Sequence, residues 1–209
     1  MTDYINNRIK NEICYKTIDE ISDKNLMIEY LKTNSVKNEI KNLECILEKY
    51  IDKELINKII QEYIIKLIPP GTKGVIRGNK FNNIVKNYLL NLNLDKNKFE
   101  ICFEKKNEKY ITNEIPDWYI SEKINNKVII GMNQLDLWKG GQQINRGYKY
   151  IINNKNDNYK LLCVICNEIQ LKNKNNKVYK LFETGFKNNT LCYINNLHNI
   201  IISYFNLEL

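Results

Sequence analysis

Residues 115–150 read IPDWYISEKINNKVIIGMNQLDLWKGGQQINRGYKY, and their reading sets the fold expected of the whole chain. DWYISEKI and KVIIGMNQLDLW are rich in β-branched and aromatic residues and are separated by a polar turn near Asn125 and Asn126. That pattern predicts a β-hairpin, with the second strand the more continuously apolar. GGQQINRGYKYIINN then reads as a glycine-opened turn leading into a short helix.

Outward from the hairpin, KFEICFEKK alternates apolar and polar residues, so a strand is expected before it. Upstream of that strand, Phe81, Ile84, Val85, Tyr88 and Leu89 share one helical face, which predicts an amphipathic helix beginning near Gly78. From about Thr17 to Leu67 apolar residues return every three or four positions, a helical period that Pro69, Pro70 and Gly71 are expected to stop. Downstream, YKLLCVICNEIQL is apolar at consecutive positions, as in a strand covered on both faces. A last helix is expected from about Tyr193 to Phe205, and the Asn/Lys runs NNKNDN and KNKNNK read as solvated loops.

The order is helix, three strands, helix, strand, helix. It predicts an α/β fold, a central mixed sheet flanked by helices. The expected organisation is a helical N-terminal region, residues 1–70, and an α/β core, residues 71–209, together one compact domain.

Composition narrows the chemistry. The 32 Lys and Arg against 24 Asp and Glu give a net charge of +8, which favours a polyanionic partner such as nucleic acid. The six cysteines, with a polar N-terminal stretch, point to free thiols in a reducing, intracellular (cytoplasmic) setting. Cys163 and Cys166 have zinc-ligand spacing, but no second Cys pair follows, and the run around them suits packing as small hydrophobes. His198 is the only histidine and sits on an expected helix face, which argues against Ser-His-Asp and Cys-His catalysis. The glycines of PPGTKGVIRGNK are in the wrong order for a triphosphate-binding loop, and no apolar run is long enough to cross a bilayer.

Phosphodiester hydrolysis without histidine is most readily done with a hard divalent metal such as Mg²⁺, held by carboxylate and amide oxygens. Along the second hairpin strand Met132, Gln134 and Asp136 share one side, by strand alternation. With the turn near Asn125 and Asn126, the positions opposite Asp117 fall at roughly Gln134 to Asp136. Asp117, Gln134 and Asp136 are therefore the expected metal site.

On these residues the chain resembles the PD-(D/E)xK nuclease superfamily, type II restriction endonucleases in particular. The resemblance covers roughly Arg77 to Leu171 and is anchored on Pro116-Asp117, on the apolar strand that follows, and on the element order. It implies a restriction-endonuclease-like core, a Mg²⁺-dependent endonuclease, double-stranded DNA as partner and a homodimer. The family's polar triplet carries an acid first and a lysine last; here it is Gln134-Leu135-Asp136. The basic group is then expected from the following segment, from Lys149 or Arg146 ahead of Lys139, because a helix holds a side chain more rigidly than a Gly-Gly turn. The family often has an acid on the helix before the first strand. Asn82 stands near that place and supplies no charge, which leaves Asp117 and Asp136, with Glu114 in reserve.

Gly140 and Gly141 permit positive φ and close approach to a ligand. Lys139, Gln142, Gln143, Asn145, Arg146 and Lys149 are the expected DNA contacts, since such side chains bind phosphates or read base edges. Trp118 and Trp138 are expected to wall the site. Two further readings remain open: a repair or nicking nuclease of the same fold, and a nucleic-acid-binding protein that has lost catalysis.

Overall fold

The computed structural model describes residues 32–67, 70–110, 114–134, 141–152, 159–166 and 177–207. The chain divides into two compact units, one Lys16–Lys80 and the other containing Phe81–Leu209.

In the first unit, helices α1 (Asn34–Leu47) and α2 (Lys53–Leu67) form because their apolar residues recur at helical spacing. Val36, Ile56 and Ile60 are buried, with Ile40, Leu43, Leu47, Ile51 and Ile76 packed against them. Asp52 caps α2: its Oδ1 accepts the Leu55 N–H at 2.9 Å, satisfying one of the unpaired donors of the first turn. Helix α3 runs Pro70–Leu90 and so extends well upstream of Gly78, where it was expected to begin. Pro70 and Gly71, expected to stop a helix, thus lie within one.

The second unit holds a five-stranded sheet in the order β1 (Phe99–Phe103), β2 (Trp118–Glu122), β3 (Val128–Gln134), β4 (Lys160–Ile165), β5 (Leu191–Tyr193). Strands β1, β2 and β3 are antiparallel; β3, β4 and β5 are parallel. Parallel neighbours need crossovers, and α4 (Gly141–Ile151) and α5 (Lys177–Lys187) supply them. Residues Ile194–Asn196 form a 3₁₀ turn into α6 (Leu197–Phe205).

The fold is therefore α/β with a mixed sheet between helices. On one face Tyr119, Ile130, Met132, Cys163 and Ile165 pack with Tyr150 and Ile151 of α4 and with Leu181 and Phe182 of α5. On the other, Phe99 meets Phe205 of α6 edge to face at 5.1 Å, and Lys86 of α3 lies over the Phe103 ring. Phe81, Val85 and Leu89, on the expected apolar face of α3, are all buried. Strand β4 is buried from Leu161 to Ile165, as its unbroken apolar run requires.

Helix α5 and strand β5 are elements that the sequence reading did not anticipate. Val178, Leu181, Phe182 and Phe186 do carry a helical stripe, close behind the polar run KNKNNK. Strand β5 has three residues, too few for alternation to be visible, and exists by pairing with β4.

Candidate active site

Asp117 stands one residue before β2 and is tied to both neighbouring strands. Its N–H donates to the Gly131 carbonyl and its own carbonyl accepts the Glu104 N–H, each at 3.1 Å. Its side chain is held as well, with Oδ2 accepting the Asn133 N–H at 2.6 Å.

The hairpin forms where expected, but its register differs. Trp118 pairs with Gly131 and Ser121 with Val128, and the Asp117 N–H also goes to the Gly131 carbonyl, so Asp117 meets Gly131 instead of Gln134 to Asp136. The cause is the turn: Glu122 N–H donates to the Lys127 carbonyl, and the left-handed residue is Asn126, with φ of 60°, at the end of the loop rather than at its centre. The centre of the hairpin thus moves toward Ile124.

Asn133, near the end of β3, joins three elements. The Trp118 Nε1–H donates to Asn133 Oδ1 at 2.9 Å, and Asn133 Nδ2 donates to Asn82 Oδ1 of α3 at 3.1 Å. Trp118 is 1% exposed and lies against Gly131, where a β-carbon would stand 1.9 Å from the indole Cε2. Trp118 is thus a buried residue of the core, and Asn82, the helix residue considered for a ligand-orienting role, is engaged with Asn133.

Lys149 reaches Glu114. Its Nζ sits 2.7 Å from Glu114 Oε2 and 4.8 Å from the centre of the Tyr110 ring. The Tyr110 hydroxyl donates to the same Oε2 at 3.2 Å and lies 3.4 Å from the Tyr150 hydroxyl. Burial by itself would lower the Lys149 pKa, but the Glu114 and Tyr110 hydrogen bonds outweigh it and hold the pKa above its ordinary value. Glu114 is therefore half-buried and bonded, close in sequence to Asp117, and more than the reserve acid of the sequence reading. Tyr110, which sequence reasoning missed, supports both partners; only its aromatic character hinted at this.

Glu104 was missed too. It follows β1, adopts a left-handed φ of 50°, and bonds through its backbone to Asp117, so a further acid stands at this end of the sheet.

Asp136, Trp138, Lys139 and Gly140 lie outside the described residues. Gly141, expected to permit a left-handed turn, is instead the first residue of α4. Gln142, Gln143, Asn145 and Arg146 all lie on α4; Asn145 is exposed, and the side chains of the other three are outside the description. Gln134 is half-buried at the end of β3.

Among the described residues no three His, Cys, Asp or Glu side chains gather to hold a metal ion. The Asp117 carboxylate and Gln134 amide oxygen do match the donor chemistry of a hard cation, and Asp136 would complete the expected set. A pocket of about 360 Å³ lies on the Tyr119 face of the sheet at the turn end of the hairpin, lined by Glu100, Glu108, Tyr119, Ser121 and Asn126; Asp117 is not part of its wall. Cys163 and Cys166 are both fully buried in or beside β4, in keeping with packing as small hydrophobes. No helix among the described residues is long and apolar enough to cross a membrane.

Comparison with protein-family models, with curated proteins and with solved structures gave no match.

Proposed function

We propose that this protein is a Mg²⁺-dependent endodeoxyribonuclease with a restriction-endonuclease-like core, a type II site-specific enzyme acting as a homodimer on double-stranded DNA. The observation that carries the reading is the anchoring of Asp117. It follows Pro116, is bonded through its backbone to Glu104 and to Gly131 of β3, and its carboxylate accepts the Asn133 N–H. The crossover helix α4 and the parallel strand β4 complete the element order that the resemblance implies.

On this reading Asp117, Gln134 and Asp136 hold the ion, which when bound polarises the phosphate and lowers the pKa of a water. Lys149 keeps its proton at neutral pH, as an ordinary lysine does, and its Glu114 and Tyr110 hydrogen bonds only strengthen that, so it serves as a hydrogen-bond donor and counter-charge and not as a base. Glu114 and Tyr110 aim its ammonium group. Lys139, Gln142, Gln143, Asn145 and Arg146 contact the DNA, in line with the net charge of +8.

Long duplex DNA incubated with Mg²⁺ tests this: discrete fragments are expected. Asp117→Ala should abolish cleavage yet still retard DNA, and Asp136→Asn should behave alike; full activity in Asp117→Ala would sink the assignment. One observation favours a second reading, binding without cleavage: Lys149 is paired with Glu114. Retardation of DNA with no cleavage at any Mg²⁺ concentration would select it. Nicks without sequence preference would select a repair or nicking nuclease.

A further inference from the structure

Asn133 offers no acid, base or charge, yet the bonds of three elements converge on it. An indole N–H can only donate, so Trp118 fixes which end of the Asn133 amide faces it: the oxygen. Nδ2 is thereby turned to α3, where Asn82 must present its own oxygen, as it does. Trp118 is itself immobile, because its ring occupies the space that the missing side chain of Gly131 leaves open. With its side chain clamped at both ends, the backbone of Asn133 is fixed as well. Its N–H meets Asp117 Oδ2 at 2.6 Å, at the short end even for a bond to a charged oxygen.

We propose that Asn133 is a positioning residue for Asp117: its N–H orients the carboxylate, and Trp118 and Asn82 lock the peptide that carries that N–H. This rests on the reading of Asp117 as a ligand of a hard divalent cation. Metal ligands generally depend on such outer partners, whose loss weakens binding by about tenfold to a hundredfold.

The test is direct titration of the full-length chain with Mn²⁺, a spectroscopically visible ion for the same oxygen donors, alongside a melting curve for each variant. Wild type is expected to bind and Asp117→Ala to lose the ion. Asn133→Ala, Trp118→Phe and Asn82→Ala should each bind about tenfold to a hundredfold more weakly. Because the last two release the same clamp from opposite ends, their double variant should lose less than the two single losses combined. In a cleavage assay the same variants should lose kcat while KM for DNA holds.

Lower melting temperatures with unchanged Mn²⁺ affinity would make the network purely structural and overturn the proposal. Should Asn133→Ala fail to fold, Trp118→Phe and Asn82→Ala decide the matter by themselves. If wild type binds no Mn²⁺, or Asp117→Ala binds it equally well, the metal-site reading falls and the proposal with it. If Asp117→Ala alone loses the ion, the reading stands and only the proposal fails.

Discussion

Lys149 is the residue whose chemistry depends most on its neighbours. In water its ammonium would titrate at the ordinary value of 10.5; here burial pulls that value down and Glu114 and Tyr110 push it further up. A group whose pKa is raised on folding stabilises the fold fully below its unfolded pKa and loses that effect as pH climbs through the folded one. Lys149→Met should therefore be less stable than wild type at neutral pH, and the gap should close above pH 10.5. The pair is about a third exposed, with side chains at 33% and 30%, so screening keeps that gap below roughly 1 kcal/mol. Melting curves of both proteins across the alkaline range check this, and a gap that widened with pH would contradict it. Sequence reasoning reached Lys149 because a cation on a helix packed over the sheet is held rigidly. It could not reach the partner, since Glu114 stands in a loop 35 residues earlier and only folding brings the two together.

At the scale of elements, the β2–β3 hairpin was legible and its register was not. Alternation and the Asn-Asn turn are local signals, whereas register depends on which loop residue takes the left-handed conformation. That residue is Asn126, with φ of 60°. A β-branched side chain is strained there, so Asn126→Val should cost about 1–2 kcal/mol, while Asn126→Gly should be nearly neutral. The valine variant's melting temperature should accordingly fall by about 2–4 °C per kcal/mol, and equal stability of the two variants would argue against a left-handed turn. Helix α3 gives the same lesson: Pro70 and Gly71 read locally as a stop, and they lie within a helix. Strand β5 is the extreme case, since among the described residues its strand partner is β4 alone.

At the scale of the whole molecule, burial sorts groups that composition treats alike. Among the described cysteines, Cys45 is exposed while Cys102, Cys163, Cys166 and Cys192 are buried, and burial pushes the Cys192 thiol up to about 12. Alkylation of the native protein at mildly alkaline pH should label Cys45 and spare those four until denaturant is added, because the thiolate is the reactive form. Peptide mapping reads the outcome, and native labelling of Cys163 or Cys192 at the rate of Cys45 would contradict the packing of β4 and β5. The sequence by itself determined the α/β class, the helical periods of α1, α2 and α3, the double burial of β4 and the hairpin bearing Asp117, because periodicity and turn chemistry are written in neighbouring residues. Tertiary structure alone decided that Asp117 bonds to Gly131, that Asn133 is clamped between Trp118 and Asn82, and that Lys149 meets Glu114. Each of these pairs residues from different elements, and a hydrogen bond or ion pair between distant residues leaves no period in the chain that forms it.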